Sequence, residues 1–336
     1  MGLERIVAGA CHPPFPVYAH LADDLAAAHH ADNGERDPAV AHVLATCAGY
    51  AYSDADTVAT MMTRLGLDAN ACVRVTQTVD AMFIFSTAYL IQSRCGRVVI
   101  LCYRGTEPST LGNWLGDAEV DSESSTLSLN DGTHAIKVHG GFHRNVRATW
   151  STVLGELTLA LQGRSLANPD ETVESPLQAL YVTGHSLGGA MAVLFALKVA
   201  GTREYHAVAN KLCAVYTFGQ PMTVGGPLPL VADEVGRRLF RHVTIRDLVP
   251  ALPPAAWGAF MHFGKEYRYT NGEWQRSAVP VAQLTGIKEI PRALAAFFAT
   301  TTRRASYSYT VAEHGPHHYL SVLRPNGRVT EFGDWP

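Results

Sequence analysis

The sequence predicts an α/β fold with a mostly parallel central sheet and helices on both faces. Three observations support this. Strand-like apolar runs alternate with helical segments, which is typical of parallel strands joined by helices. The runs are almost continuously apolar, as in strands buried on both faces. One Gly-x-Ser-x-Gly sequence, residues 184–188, lies between such a strand and such a helix.

The individual elements follow from periodicity and from the residues that begin and end them. A helix is predicted at 38–52, and a second begins after Asp54 as N-cap and ends before Gly66. Further helices are predicted at 142–161 and 189–197. The predicted strands are residues 81–85, 98–103, 177–183, 212–218 and 239–245. The least regular region is 248–312.

Length and composition limit the possible functions. The 336 residues are read as one domain, 1–336. A net charge of −3 and the lack of a basic stretch give no reason to expect a nucleic-acid partner. The six cysteines form no Cys-x-x-Cys pair, so a zinc site is not expected. No apolar stretch is long enough to form a transmembrane segment. The N-terminus lacks a signal core, so a cytoplasmic location is expected, with leaderless secretion as the alternative.

The Gly184–Gly188 sequence predicts that Ser186 is a nucleophile on a sharp strand-to-helix turn. A Cβ at either flanking glycine would collide with the neighbouring strand or helix. The N–H of Leu187, at the helix N-terminus, then points to where an oxyanion would form. A serine hydroxyl also needs a base, usually a histidine oriented by a carboxylate.

The acid and the base are expected after the serine, at a strand end and in a later loop. Asp247 closes the run 241–246 and precedes Leu248-Val249-Pro250, which cannot continue the strand. Asp233 and Glu234 look like a solvated helix face. His314, just before Gly315-Pro316, is the favoured base, and His317 is the alternative.

A second oxyanion donor is expected at an earlier strand end. Tyr103-Arg104-Gly105-Thr106 closes the 98–103 strand, and Gly105 permits a tight turn there. The backbone N–H and hydroxyl of Thr106 are therefore the candidate donors.

Together these residues resemble the class 3 lipases, which are α/β-hydrolases related to fungal triacylglycerol lipases. The resemblance covers residues 40–325. It rests on the strand ending at Arg104-Gly105-Thr106, Asn113-Trp114-Leu115-Gly116-Asp117, His139-Gly140-Gly141-Phe142, Gly184–Gly189, Phe218-Gly219-Gln220-Pro221, Asp247–Pro254, and Glu313-His314 with Tyr319-Leu320.

The resemblance implies an α/β-hydrolase fold with a Ser186–Asp247–His314 triad and oxyanion donors at Thr106 and Leu187. It also implies hydrolysis of lipid carboxylic esters without a cofactor, and 248–312 becomes an insertion between the catalytic acid and base. The fungal enzymes have a shorter His-x-x-Tyr spacing than this chain, which keeps His317 as the alternative base.

Substrate access is expected to involve a lid. Residues 107–115 carry Leu111, Trp114 and Leu115 and are the candidate lid and substrate rim at a lipid–water interface. Residues 290–298 are either a second apolar rim or a core helix. Alternative activities are those of a phospholipase A1 or a short-chain carboxylesterase, and the rival class is a non-catalytic interaction protein that keeps the fold.

Overall fold

The structure is a computed structural model that describes residues 1–10, 12, 14–27, 34–106, 124–129, 134–285 and 311–334. The strands are β1 Gly2–Val7, β2 Ala71–Val79, β3 Ile84–Gln92, β4 Val98–Tyr103, β5 Ser124–Leu129, β6 His134–His139, β7 Ala179–His185, β8 Leu212–Phe218, β9 Val224–Gly225, β10 Leu239–Thr244, β11 Lys265–Thr270 and β12 Glu273–Ser277. The α-helices are α1 Leu21–Ala27, α2 Pro38–Tyr50, α3 Ala55–Leu65, α4 Gly140–Leu161, α5 Leu187–Ala200, α6 His206–Ala209, α7 Leu230–Arg238, α8 Val311–His314 and α9 Pro316–Leu323.

Nine strands form one mixed sheet in the order β1-β2-β3-β4-β7-β8-β10-β11-β12. The central strands β4, β7, β8, β10 and β11 pair in parallel, as predicted. The flanking pairs β1–β2, β2–β3, β3–β4 and β11–β12 are antiparallel. Short connections explain the pairs β2–β3, β3–β4 and β11–β12, because a parallel pair needs a crossover of roughly a dozen residues or more. Strands β1 and β2 are instead separated by α1, α2 and α3. Strands β5, β6 and β9 form a second, antiparallel sheet.

The central elements lie within a few residues of their predicted positions, but the peripheral strands do not. The predicted strand at 81–85 is wrong at its start, because residues Asp80–Met82 form a 3₁₀ turn. Phe83 follows with a φ of 51°, a left-handed conformation that interrupts an extended strand. Strand β3 begins only at Ile84 and runs to Gln92. Strands β1, β2, β11 and β12 and the three strands of the second sheet were not predicted, and β11 and β12 lie within region 248–312.

The hydrophobic core has two halves, one on each face of the large sheet. In β4, Val99 and Leu101 belong to the half that includes α4 and α5, whereas Ile100 and Cys102 belong to the half that includes α2 and α3. Successive side chains of a strand point to opposite faces, so the continuous apolar run fills both halves. The prediction of helices on both faces is confirmed.

The predicted helix boundary residues act as expected. Asp54 accepts a hydrogen bond from the Thr57 N–H at 2.8 Å and caps α3, and Gly66 ends that helix with a φ of 134°. Within the ranges described above, none of the helices combines the length and the apolar character needed to cross a membrane.

Candidate active site

Ser186 lies at the sharp turn between β7 and α5. Its φ of 57° and ψ of −130° fall outside the regions that L-residues favour. A Cβ at Gly184 would lie 2.3 Å from the Gly188 carbonyl carbon, and one at Gly188 would lie 2.1 Å from the Tyr103 oxygen. Both flanking positions must therefore lack a side chain, as predicted, because Gly184 packs against the start of α5 and Gly188 packs against the end of β4.

Three side chains from distant parts of the sequence form one hydrogen-bonded line. His314 Nε2 lies 3.0 Å from the Ser186 hydroxyl, and His314 Nδ1 lies 2.9 Å from Asp247 Oδ2. The carboxylate accepts the Nδ1 proton, so Nε2 is left as the acceptor for the serine proton. All three side chains are buried. This arrangement can remove a proton from Ser186 as its oxygen attacks an electrophile.

The Asp247 carboxylate has further partners that fix its orientation. The Tyr319 hydroxyl donates to Oδ2 at 2.7 Å, and the Val249 N–H donates to Oδ1 at 2.9 Å. Tyr319 in turn accepts the Thr244 N–H at 3.2 Å, which ties α9 to the end of β10. The donors Tyr319 and Val249 therefore fix the carboxylate in the orientation in which it contacts His314.

Gly219 gives Asp247 and His314 the space to meet. Its φ is +58°, and a Cβ there would lie 2.7 Å from Asp247 Oδ2 and 3.0 Å from His314 Nδ1. The Gly219 N–H donates to the His242 carbonyl at 3.0 Å, which keeps the backbone close to this contact. A side chain at this position would therefore enter the hydrogen bond between acid and base.

The rival residues lie elsewhere. His317 is exposed on α9, whereas the side chain of His314 is buried against Asp247. Asp233 and Glu234 are exposed on α7, as expected for a solvated helix face. Of the two histidines that the sequence left open, the geometry brings only His314 to Ser186.

The candidate oxyanion donors flank the serine. Leu187 is the first residue of α5, where N–H groups face outward from the helix start. Thr106 follows Gly105, and a Cβ on Gly105 would lie 3.2 Å from the Ser186 Cβ. The loop that ends β4 is thus packed against the serine. The candidate lid 107–115, with Leu111, Trp114 and Leu115, and residues 290–298 lie outside the described residues.

Ser186 is only 1% exposed. Attack requires a substrate carbonyl to approach the Ser186 hydroxyl to about 3–3.5 Å. The arrangement is therefore assembled for proton transfer, with little of its serine at the surface.

Sequence reasoning missed the roles of Tyr319 and Gly219. Both residues lie in the stretches that carry the family resemblance. Their place there indicated that they matter, but it did not indicate which residues they contact. Only the fold places the Tyr319 hydroxyl, 72 residues away in the chain, on Asp247.

Comparison with known proteins gives consistent matches. A family model described as Lipase (class 3) matches residues 100–257. A lipase of Rhizomucor miehei is 29% identical over 204 residues, and the triacylglycerol lipase OBL1 of Ricinus communis is 32% identical over 221 residues. These alignments cover 61% and 55% of this chain. The chain spans only 50% and 40% of the lengths of those two relatives.

Solved structures match over more of the chain. The Rhizomucor miehei lipase propeptide complex has a TM-score of 0.52 at 22% identity, covering 82% of this chain and 78% of that one. Lipase II from Rhizopus niveus has a TM-score of 0.53 at 23% identity, covering 73% of this chain and 86% of that one. These likenesses confirm the predicted fold.

Proposed function

We propose that this chain is a class 3 lipase, which its match to the family model over residues 100–257 supports, and that it hydrolyses carboxylic esters of lipids through an acyl-enzyme, with acylglycerols as the substrate class. The observation that carries this proposal is the hydrogen-bonded line from Ser186 through His314 to Asp247. The names of the two curated relatives, a lipase and a triacylglycerol lipase, support the substrate class.

The chemistry follows from the hydrogen bonds. His314 Nε2 takes the Ser186 proton as the serine oxygen attacks the acyl carbonyl carbon, and the carbonyl oxygen becomes an oxyanion. Asp247 stabilises the imidazolium that forms, and the N–H groups of Thr106 and Leu187 stabilise the oxyanion. His314 then protonates the departing alcohol. Water, deprotonated by the same imidazole, releases the fatty acid and restores the serine.

Removing the nucleophile tests the proposed mechanism. The Ser186→Ala variant is expected to lose turnover of p-nitrophenyl butyrate by several orders of magnitude, and a fluorophosphonate probe is expected to label the wild-type chain but not the variant. Normal turnover in Ser186→Ala would refute the mechanism. A wild-type chain that neither turns over the ester nor takes the label would instead be a non-catalytic member of the fold.

The lid is part of the proposal. We assign the opening at a lipid–water interface to residues 107–115, which carry Leu111, Trp114 and Leu115. The burial of Ser186 supports the need for such a step. The rate on an ester is expected to rise when its concentration passes the solubility limit. A rate that continues smoothly through that limit would argue against a functional lid.

A hydrolysis screen tests the substrate class. Triacylglycerol, diacylglycerol, phospholipid and short-chain esters should be offered to wild-type and Ser186→Ala protein at matched carbonyl concentration. Acylglycerols are expected to be cleaved fastest. Preference for the phospholipid would indicate a phospholipase A1, and cleavage of soluble esters alone would indicate a carboxylesterase, since pocket shape sets such preferences.

A further inference from the structure

His185, the residue before the nucleophile, connects two parts of the site. Its Nε2 lies 2.6 Å from the main-chain oxygen of His314, and its Nδ1 lies 2.8 Å from the Tyr52 hydroxyl. We propose that His185 is a positioning residue, which holds the backbone of the base at a fixed distance from Ser186 while Tyr52 fixes its ring. This inference rests on the proposed function, because it concerns the same proton transfer.

The partners of His185 define its tautomer. A carbonyl oxygen only accepts, so Nε2 must carry the proton that is donated to His314. Nδ1 is then the acceptor, and the Tyr52 hydroxyl donates to it. Burial, and the nearby His314, hold the pKa of His185 well below 6.5, so the ring is neutral and keeps one proton. Tyr52 therefore selects the tautomer that His314 requires.

The hydrogen bonds and the covalent chain form a closed loop around the reacting atoms. Ser186 is covalently joined to His185, His185 binds the His314 main chain, and the His314 side chain returns to the Ser186 hydroxyl at 3.0 Å. The two imidazole rings also pack together, with their centroids 4.6 Å apart. The backbone of His314 therefore cannot move away from Ser186 without breaking the His185 contact.

The other side of the base segment is held by different groups. The Thr244 hydroxyl donates to the Glu313 carbonyl, and the Arg246 N–H donates to the Glu313 carboxylate, both at 3.1 Å. These bonds anchor the segment to the end of β10, next to Asp247. His185 anchors the same segment to the turn that carries Ser186. Its loss would let His314 move relative to Ser186 while the fold around Asp247 stays in place.

Tyr52 also lies against the candidate oxyanion loop. A Cβ at Gly105 would lie 2.3 Å from the Tyr52 oxygen and 2.5 Å from the His185 carbonyl oxygen. The next residue, Ser53, is fixed to β3 because its carbonyl accepts the Tyr89 hydroxyl at 2.5 Å. Tyr52 is thus held where it meets both the histidine and the loop before Thr106.

Amide substitutions of His185 separate a positioning role from a packing role. The N–H of Gln in His185→Gln can reach roughly the place of Nε2 and donate to His314, whereas Asn in His185→Asn ends near the place of Nδ1 and cannot. We expect kcat on p-nitrophenyl butyrate to fall about 10- to 100-fold in His185→Asn and His185→Ala, since small displacements of a catalytic group have effects of this size. KM should stay within about twofold, and His185→Gln should recover most of kcat.

A second tyrosine–histidine pair provides the matched control. The Tyr18 hydroxyl lies 2.9 Å from His42 Nδ1, and the rings meet at 6.0 Å and 62°, close to the 5.9 Å and 66° of Tyr52 and His185. His42→Gln and Tyr18→Phe should leave kcat within about twofold of wild type, whereas Tyr52→Phe should lower it with KM unchanged.

The outcomes separate the positioning role from the proposed function. Equal kcat in the Gln and Asn variants of His185, or a kcat of His185→Ala within about twofold of wild type, would overturn the inference while Ser186→Ala remains inactive. If His185→Ala does not fold in a urea titration, the Gln and Asn pair decides. Normal activity in Ser186→Ala would instead refute the proposed function.

Discussion

Replacing Gly219 with alanine tests how closely the acid and base must meet. The added methyl would lie 2.7 Å from Asp247 Oδ2, whereas ordinary contacts of a Cβ begin at 3.4 Å. The carboxylate or the imidazole must therefore retreat by about 0.7 Å, or the backbone must shift by a similar amount. Either movement lengthens the 2.9 Å hydrogen bond between His314 and Asp247.

Gly219→Ala is expected to have two separate effects, one on folding stability and one on kcat. The φ of +58° costs an alanine about 1–2 kcal/mol of folding free energy, because its Cβ crowds the following carbonyl. Misplacing a catalytic group by about 1 Å costs roughly 10²-fold in rate, and losing the orienting carboxylate altogether costs roughly 10⁴-fold. We therefore expect kcat to fall between these limits, by about 2.7 to 5.4 kcal/mol of transition-state stabilisation.

Gly272→Ala is the control for Gly219→Ala. Gly272 has a φ of +84°, but nothing lies within 4 Å of its added Cβ. It should lose a similar 1–2 kcal/mol of stability in urea unfolding, at about the wild-type kcat on p-nitrophenyl butyrate. A Gly219→Ala enzyme within about threefold of wild-type kcat, or a Gly272→Ala enzyme equally slowed, would refute the argument from contact geometry.

Two further predictions concern charge. Asp247→Asn should lower kcat by roughly 10⁴-fold with little change in KM, because an amide N–H facing His314 would favour the wrong tautomer; a loss under tenfold in a folded variant would contradict this. Burial, with smaller contributions from Arg324 and Arg328, lowers the pKa of His42 from 6.5 to about 4. The unfolded chain therefore takes up this proton before the folded one, so the stabilisation is complete above pH 6.5 and is lost as the pH falls towards 4. His42 alone should lower the free energy of unfolding by about 3 kcal/mol over that interval. Urea midpoints at pH 7.5 and 4.5, compared between wild type and His42→Gln, measure this loss, and an equal pH-dependent drop in both proteins would contradict it.

The nucleophile turn was predictable because its constraints are local. Steric exclusion at Gly184 and Gly188 acts within a few residues of Ser186, and the acid was marked by the end of a buried strand before Pro250. Four of the central strands, β4, β7, β8 and β10, were likewise predictable, because a strand buried on both faces consists of consecutive apolar residues.

The remaining features depend on contacts between distant residues. The choice of His314 over His317 depends on which face of a short segment turns to Asp247, and the pair Tyr52–His185 joins residues 133 apart. Strand β11, with the sequence Lys-Glu-Tyr-Arg-Tyr-Thr, carries too little apolar pattern to stand out. Its place in the sheet is set by pairing with β10 and by burial of Glu266 against Arg241 at 3.0 Å.

The seclusion of Ser186 also affects how kinetic constants should be interpreted. If only a fraction of molecules is competent to admit an ester, the apparent affinity is weakened by that same fraction. A chain open one time in a hundred would bind its substrate about a hundredfold more weakly than its fully open form. Any surface or additive that raises the fraction of open molecules would then lower KM without changing the contacts between the site and its substrate.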